Sequence, residues 1–353
     1  MNQCKRIGID IAKQIFQVHG VDQKGNTVLT KKLLRHELLR FFAQHEPVLI
    51  GIESCGGAHY WARELKKLGH EVKLMSPQFV SPYRKSGKND HNDAEAICEA
   101  VGRPTMRFVA VKTEEQQTIL VMHRIREQWM GERTSLMNQI RGHLQEFGVV
   151  INQGRAALQK TLAEVLENDR LPLLLRDSLR TMGEALRALE ARLAEVDKRI
   201  ESWSKQHVIA KRLMTLGGVG TLTASAVVAT TGDARLFKQG RQFSAWLGLV
   251  PKQNSSGGKT RLGSITKRGD RYLRTLLIQG ARSVMLAATR ARKNNVSSPR
   301  YDWIYQLQAR RPDNVVAVAI AAKQARILWA MMAKGEDWNP HHHELSNGFC
   351  KKQ

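Results

Sequence analysis

Two short apolar runs, each ending in or enclosing an acid, constrain this 353-residue chain more than any other feature. Residues 6–13 have the sequence RIGIDIAK and residues 48–53 have the sequence VLIGIE. Their β-branched residues predict two buried strands, the first carrying Asp10 and the second ending at Glu53. A carboxylate is costly to bury unless something pairs with it. We therefore expect both acids to converge at one edge of a sheet.

A third segment adds two more acids. Residues 88–97 have the sequence KNDHNDAEAI, which predicts the start of a helix. Asp90 and Asp93 are three residues apart and so share a helical face. Taken singly, each acid could be a satisfied polar group of the core, and Asp93 could be a first-turn residue favoured by the helix dipole. Together, the four carboxylates form a hard oxygen set that suits Mg²⁺ or Mn²⁺.

The predicted order of elements favours one architecture. Strands at 16–21 and 28–34 complete a three-strand meander, and a helix at 57–68 leads to a strand at 71–75. This order of strands and helices matches the ribonuclease-H-type fold. The fold class is therefore α/β for the N-terminal part, followed by a helical coiled coil and a mostly helical C-terminal domain.

The charge of the chain predicts a polyanionic partner. The net charge is +24 and the isoelectric point is about 10.3. Residues 1–210 carry +7 and residues 211–353 carry +17, of which +15 lies within 211–300. We therefore expect the second half of the chain to provide the main phosphate-binding surface.

Cysteine spacing and hydropathy bear on the compartment. The four cysteines, Cys4, Cys55, Cys98 and Cys350, form no CxxC pair, which favours a reducing compartment and argues against zinc. The sequence shows no signal peptide and no run of 18 apolar residues, so a cytoplasmic, nucleoid-associated protein without a membrane segment is expected. The triplet at 341–343, three histidines in a polar tail, is interpreted as a solvated loop.

The middle of the chain carries a heptad stripe. Alternating steps of four and three join nine positions: Leu175, Leu179, Met182, Leu186, Leu189, Leu193, Val196, Ile200 and Trp203. Pro172 is expected to mark the break before this helix. The seam needs a partner, either the preceding helix at about 115–147 or a copy in another subunit. The strict 3.5-residue period favours the second subunit.

Two glycine-containing segments follow the seam. Residues 216–220, LGGVG, resemble the turn of a helix-hairpin-helix module, although a plain helix-to-helix connection explains them equally well. Residues 252–270 form a polar, cationic loop that contains Ser255 and Ser256. On composition alone this loop is expected to cradle phosphates. A helix with basic flanks is predicted at 271–292.

These motifs in this order resemble the serine-containing DEDD transposases of the bacterial IS110 family, and within it the IS1111 branch. The resemblance covers nearly the whole chain. It rests on GID at 8–10, IESCG at 52–56, NDHNDA at 89–94, GGVG at 217–220, WLGLVP at 246–251, SSGGK at 255–259 and KRG at 267–269. The chain departs from the family's commoner PGIG turn and EATG motif, but neither change removes an acid.

The resemblance implies an insertion-sequence transposase that cuts and rejoins DNA. Asp10, Glu53, Asp90 and Asp93 would hold Mg²⁺, with Mn²⁺ as a possible substitute. Ser256 would be the nucleophile that forms a covalent phosphoserine link, with Ser255 as the alternative. Family members are also thought to be guided by an RNA that the element encodes. Residues that would contact RNA or DNA backbones are Lys252, Lys259, Arg261, Lys267, Arg268, Arg271 and Arg274.

The expected domains are a RuvC-like catalytic domain at 1–150, a coiled-coil dimerisation region at 151–205, a transposase domain at 206–340 and a tail at 341–353. We expect a dimer that pairs into a tetramer, with the two halves of each active site coming from different subunits. Two alternatives remain open. A junction-resolving or structure-specific endonuclease would use the same acids to activate water. A binding protein without catalysis would keep the charge but tolerate loss of Asp10.

Overall fold

The computed structural model describes residues 4–85, 89–296 and 299–339, with only the backbone of 299 and 300. The histidine triplet and Cys350 lie outside the described residues, as does the tail at 341–353. The chain divides into two compact units, one of Met1–Gln117 with Thr231–Lys238 and one of Thr118–Thr230 with Gln239–Gln353. The four domains expected from sequence stay a prediction.

A six-stranded mixed sheet forms the centre of the first unit. Its strands are β1 (Arg6–Ile11), β2 (Ile15–Val21), β3 (Thr27–Leu34), β4 (Leu49–Glu53), β5 (Glu71–Met75) and β6 (Phe108–Val109). The order across the sheet is β3-β2-β1-β4-β5-β6. The first three strands form an antiparallel meander, whereas β4 and β5 run parallel to β1. The five predicted strands are confirmed, and β6, a two-residue strand antiparallel to β5, was not predicted.

Helices cover both faces of this sheet. They are α1 (Leu38–Ala43), α2 (Ala58–Lys67), α3 (Pro77–Val80) and α4 (Asp90–Val101). On one face Phe42, Trp61 and Leu65 join a core with the alternate strand residues Ile7 and Ile9. The other face is covered by α4, which contacts β1, β2 and β4. The sheet is therefore buried on both sides, as its continuous apolar runs require.

Two glycines let α4 lie directly on the strands. A Cβ atom at Gly8 would come within 2.3 Å of the Ala94 carbonyl oxygen and of the Cys98 amide nitrogen. A Cβ at Gly51 would come within 2.7 Å of the Val101 side chain. Side chains two apart on a strand point to the same face. The glycines therefore lie on the face of the sheet that also carries the acids two residues later.

The second unit is helical apart from one hairpin. Its helices include α5 (Glu114–Gln145), α6 (Arg155–Leu166), α7 (Leu173–Gln206), α8 (Val208–Leu213), α9 (Thr221–Thr231), α10 (Gly240–Trp246), α11 (Arg271–Lys293), α12 (Pro299–Gln308) and α13 (Asp313–Ala333). The hairpin consists of β7 (Pro251–Gln253) and β8 (Leu262–Ile265). The predicted helices at 115–147 and 271–292 are confirmed as α5 and α11, and Pro172 caps α7 as expected.

The heptad seam of α7 is covered within the chain. All nine seam positions are buried or partly buried in a single copy of the protein. Leu179 and Leu186 join a core with Ile140 and Leu144 of α5 and with residues of α6. An ion pair from Arg126 to Asp197 also ties α5 to α7. The preceding helices therefore cover the seam within one chain, and pairing of the seam with a second subunit stays a prediction.

The glycine-rich turn after α8 packs against two later helices. Gly218 has φ of +83°, and a Cβ there would come within 2.5 Å of the Gly280 carbonyl oxygen in α11. The buried Gln324 side chain of α13 donates a hydrogen bond of 2.7 Å to the Gly217 carbonyl oxygen. These contacts suffice to explain the turn as a helix connection closed onto α11 and α13.

One helix of the described residues, α13, is long and apolar enough to cross a membrane by length and composition. In the structure 44% of its most apolar stretch is buried, and the helix packs against α10 and α11. Core helices pass the same test, so this is weak evidence for a span.

We expect Gly8→Ala to loosen α4 from the sheet, because the added methyl group would overlap the helix backbone. Overpacking of this kind costs about 1–3 kcal/mol. The midpoint of urea unfolding measures the loss. Gly56→Ala is the matched control in the same unit, since nothing lies within 4 Å of a Cβ at Gly56. Equal midpoints for the two variants would contradict the packing argument.

Candidate active site

Two of the predicted acids end neighbouring parallel strands. Ile9 of β1 lies opposite Ile52 of β4, so Asp10 and Glu53 follow at equivalent positions. Both side chains are partly exposed, at the boundary between the buried sheet and solvent. The sheet order therefore brings these acids together, as the sequence predicted.

The first turn of α4 supplies the other two acids. The Asn89 side chain caps the helix by accepting a hydrogen bond of 2.8 Å from the Asn92 amide. This cap fixes the start of the helix and leaves Asp90 and Asp93 in its first turn. Because α4 runs antiparallel to β1 with Ala94 over Gly8, its first turn lies above Asp10.

The charges of the four acids act on one another. Burial raises the pKa of Asp10 to about 6, and the negative charges of Asp93, Asp90 and Glu53 add to the rise. The pKa of Glu53 is also raised, mainly by burial, with a smaller rise from Asp93. The structure thus gathers all four predicted carboxylates within electrostatic range of each other.

A basic residue that sequence reasoning missed lies at this cluster. The Arg84 guanidinium forms an ion pair through Nε with Oδ1 of Asp93. The contact lacks hydrogen-bond geometry, since both atoms are buried without a hydrogen-bond partner. The same positive charge opposes the rise in the pKa of Glu53. A single arginine between Pro82 and the acidic helix gave no pattern from which this contact could be inferred.

The donor set fits a hard divalent cation. Carboxylate oxygens are the preferred ligands of Mg²⁺, and a cation would relieve the repulsion that raises the pKa of Asp10. In the part of the chain that the structure describes, no three His, Cys, Asp or Glu side chains are gathered tightly enough to hold a metal. The cluster is therefore coupled by charge but wider than a closed ligand shell.

The loop with two serines is a β-hairpin rather than an irregular loop. Ser256 and Lys259 form the bridge at its tip, and Gly257 and Gly258 between them have φ of +55° and +75°. Two central residues with positive φ are typical of the type I′ turn, whose twist matches that of paired strands. Sequence reasoning found the glycines but missed this pairing, because the strands are short and polar.

The hairpin holds the two serines differently. Ser255 Oγ accepts hydrogen bonds from Gln253 Nε2 at 3.0 Å and from the Arg261 amide at 3.3 Å. Ser255 is therefore engaged in the pairing of the two arms. Within the described residues, no hydrogen bond engages the Ser256 hydroxyl, and the residue is exposed. Of the two candidates, Ser256 has the hydroxyl that is free to react.

The base of the hairpin is fixed by backbone contacts. The Thr266 amide donates to Val250 O at 2.9 Å, and the Lys267 amide donates to Gly248 O at 3.2 Å. A Cβ at Gly269 would come within 1.9 Å of the Trp246 carbonyl oxygen. This close crossing of two chain segments holds the exposed tip on a rigid base.

Most of the predicted nucleic-acid contacts surround this hairpin on an exposed, uncompensated surface. No acid occurs between Asp233 and Asp270 in the sequence. Six predicted cations are exposed and form no ion pair among the described residues: Lys252, Lys259, Arg261, Lys267, Arg268 and Arg271. This surface suits a polyanion.

The seventh predicted contact, Arg274, is partly buried. Its guanidinium donates to the carbonyl oxygens of Leu247 and Arg268, both at 3.2 Å. These bonds tie α11 to the hairpin base and give Arg274 a structural role. A contact of Arg274 with nucleic acid stays a prediction.

The structure also contains a buried histidine network that the sequence did not indicate. His123 Nδ1 lies 2.9 Å from the Tyr272 hydroxyl and Nε2 lies 3.0 Å from Ser225 Oγ. Ser225 donates its own hydrogen to the Thr221 carbonyl oxygen at 2.7 Å, so it accepts from His123 Nε2–H. Burial, aided by the positive charge of Arg126, lowers the pKa of His123 to about 4. The neutral ring thus joins α5, α9 and α11.

Two family models match the chain. A DEDD transposase model of the IS110 group matches residues 7–149, which contain all four acids. The model described as transposase IS116/IS110/IS902 family matches residues 210–296, which contain the hairpin. The chain belongs to the IS110 family of insertion-sequence transposases. It is therefore an enzyme that acts on DNA, in a family that generally uses a divalent metal.

Similar proteins of nearly equal length support this assignment. A probable family 20 transposase of Pseudomonas aeruginosa is 49% identical over 95% of this chain and 98% of its own length. The transposase for insertion sequence element IS1328 of Yersinia enterocolitica is 42% identical over 93% and 97%. The transposase for element IS1111A of Coxiella burnetii is 38% identical over 96% and 92%. The predicted family, including its IS1111 branch, is consistent with these relatives.

We expect Asp10→Asn to stabilise the metal-free protein at pH 7.5. The pKa of Asp10 is higher in the folded chain than its ordinary value of 3.8, so the ionised group costs stability once the pH rises through about 6. Because the side chain is partly exposed, the gain is about 1 kcal/mol after discounting for solvent screening. Urea unfolding in the presence of a chelator measures this gain in the free energy of unfolding.

Adding Mg²⁺ should then stabilise the wild type but not Asp10→Asn. Glu71→Gln, an exposed acid at the opposite end of β5, serves as the control and should keep the response to Mg²⁺. An Asp10→Asn protein that unfolds at lower urea than the wild type in chelator would contradict the repulsion argument.

His123 should make stability depend on pH. Its pKa is depressed in the folded chain, so the stability it provides is full above pH 6.5 and falls as the pH drops toward 4, because the unfolded chain takes up a proton. The full difference is about 3 kcal/mol. His123→Gln, which can keep both hydrogen bonds without titrating, should flatten the unfolding free energy across this range.

Urea unfolding at a series of pH values measures this effect. The exposed His143→Gln on the same helix is the control and should leave the profile unchanged. If His123→Gln and the wild type lose stability in parallel between pH 6.5 and 4, the buried histidine is not the source of the pH dependence.

Proposed function

We propose that this transposase cuts and rejoins DNA through a covalent phosphoserine at Ser256, assisted by a divalent metal at Asp10, Glu53, Asp90 and Asp93. The observation that carries the proposal is the electrostatic coupling of four carboxylates at the ends of β1, β4 and α4. It is supported by the free hydroxyl of Ser256 on a cationic hairpin. In this proposal the first unit is a RuvC-like domain.

The carboxylates hold the cation and set its position. The backbone of Asp10 and Glu53 is fixed by paired strands, and that of Asp93 by the capped first turn of α4, so binding needs only side-chain movement that draws the carboxylates together. When bound, Mg²⁺ or Mn²⁺ would polarise the phosphodiester and stabilise charge on the departing oxygen. Rigid strand ends are suited to this, because catalytic groups need positions fixed to a fraction of an ångström.

The serine step conserves the number of phosphodiester bonds. Ser256 Oγ attacks phosphorus and forms an O–P bond while the bond from phosphorus to one sugar oxygen breaks. The hydroxyl proton of Ser256 is lost to solvent, and the departing sugar oxygen takes up a proton. A sugar hydroxyl of another DNA end then attacks the phosphoserine and releases Ser256. Rejoining therefore requires no ATP.

The basic surface around the hairpin is proposed to bind nucleic-acid backbones. Its cations lie near Ser256 and lack acidic partners, so they can neutralise phosphates of DNA or of a guide RNA from the element. Site-specific insertion guided by this RNA is part of the proposal. A dimer that pairs into a tetramer would hold the two duplexes that recombination joins.

A hydrolytic endonuclease of the RuvC-like type is the second candidate. The carboxylate cluster alone favours it, because two-metal hydrolysis needs only acids and water. It would leave the exposed Ser256 hydroxyl without a role. The two candidates differ in whether protein becomes covalently attached to DNA.

A denaturing gel of protein incubated with DNA of its element and Mg²⁺ tests the proposal. We expect a protein–DNA adduct with the wild type, no adduct with Ser256→Ala or Asp10→Ala, and a retained adduct with Ser255→Ala. Ser255→Ala is the matched control, since it removes a hydroxyl one residue away that serves the hairpin pairing.

Cleavage without an adduct, unaffected by either serine change, would exclude the nucleophile and leave the hydrolytic enzyme. An adduct that persists in Asp10→Ala would exclude the metal-assisted step. If Ser255→Ala loses the adduct and Ser256→Ala keeps it, the assignment of the two serines is reversed.

A further inference from the structure

The carboxylate cluster already contains a positive charge from its own chain. Arg84 follows a short 3₁₀ turn at Ser81–Tyr83, and its Nε pairs with Asp93 Oδ1. The Arg84 side chain is 30% exposed and that of Asp93 is 14% exposed. The pair thus lies at the wall of the cluster, partly reachable from solvent.

In this contact Arg84 has the features of a counter-ion that another cation can replace, rather than of a partner in a hydrogen-bonded salt bridge. A guanidinium usually binds a carboxylate through two aligned hydrogen bonds. Here neither Arg84 Nε nor Asp93 Oδ1 has a hydrogen-bond partner among the described residues, although the two atoms are in contact. No aligned hydrogen bond between these two atoms would be lost if another cation took the place of the guanidinium.

We propose that Arg84 is a built-in counter-ion that a divalent metal displaces from Asp93, and that the released guanidinium then binds a phosphate of the nucleic acid. The inference rests on the proposed metal site. Metal loading and release of Arg84 are then one linked step, since both cations compete for the same oxygen. Nucleic acid favours loading because it offers the displaced guanidinium a new partner.

This linkage separates a resting state from an active state. Without metal, the positive charge of Arg84 offsets part of the repulsion among the acids. With metal and a phosphodiester both present, the guanidinium exchanges a carboxylate partner for a phosphate partner. Binding of metal and binding of nucleic acid should therefore strengthen each other reciprocally.

Calorimetric titration of the metal-free protein with MnCl₂, in the absence of nucleic acid, tests the displacement. We expect Arg84→Gln to bind the metal about five-fold or more tightly than the wild type, because the competing cation is gone. Arg84→Met, which keeps the apolar stem, should behave alike and covers the case in which glutamine disturbs the fold.

Arg103→Gln is the matched control. Arg103 also pairs with a carboxylate of α4, Glu99, four residues before it and away from the cluster. Its substitution should leave the metal affinity unchanged. An Arg84→Gln protein that binds Mn²⁺ with equal or lower affinity than the wild type would overturn the inference.

A second titration, with a duplex of the element's end already bound, tests the phosphate contact. The duplex should raise the metal affinity of the wild type by a larger factor than that of Arg84→Gln. Equal factors would overturn this half of the inference.

Failure of the inference is distinguishable from failure of the proposed function. If Asp10→Asn binds Mn²⁺ as well as the wild type does, the metal site itself is wrong. If Asp10→Asn abolishes binding while Arg84→Gln changes nothing, the metal site stands and only the counter-ion role is excluded.

Discussion

The backbone contact between Gly8 and α4 is the constraint on which the candidate site depends. With no Cβ at Gly8, the Ala94 carbonyl and the Cys98 amide lie directly against β1. That contact sets the height of α4 above the sheet and so the height of its first turn above Asp10. Burial, and then repulsion from Asp93, Asp90 and Glu53, raises the pKa of Asp10, and the close approach of α4 accounts for the proximity of the two charges on its first turn.

The same arrangement explains why the site costs stability. Burial and repulsion from neighbouring carboxylates penalise the ionised forms of Asp10 and Glu53, and the paired strands hold these two residues in place nonetheless. Sites that bind cations commonly hold like charges close together in the free protein, since the free energy that this repulsion costs is recovered when the cation binds. In the metal-free protein, the positive charge of Arg84 offsets part of this repulsion.

Much of the first unit could be predicted from its sequence because its signals are local. The apolar runs around Asp10 and Glu53 predicted strands, and the capped segment at Asn89 predicted a helix; all three elements are observed. The pattern of the acids already indicated a site for Mg²⁺ or Mn²⁺, and the resemblance to the transposase family then supplied the role of Ser256, which local patterns could not. Chemical roles of Asp10, Glu53, Asp90, Asp93 and Ser256 stay predictions.

What the sequence did not reveal depends on contacts between distant segments. Arg84 meets Asp93 only after α4 folds back over the sheet, and His123 meets Tyr272 across 149 residues. The heptad seam of α7 was read as a sign of a second subunit because periodicity reports that an apolar face is covered, not which chain covers it. The polar arms of the hairpin lacked the alternation that identifies strands.

The hairpin that carries Ser256 has a consequence for how this loop can vary in length. Beyond an irregularity near Pro251, its arms are registered by backbone pairs from Gln253 with Leu262 to Ser256 with Lys259, and side chains in this regular part alternate between the two faces. Adding one residue to each arm lengthens the loop but turns the serine to the opposite face, whereas two per arm restore its direction. Insertions in this segment should therefore preserve the aim of the hydroxyl only in multiples of four residues.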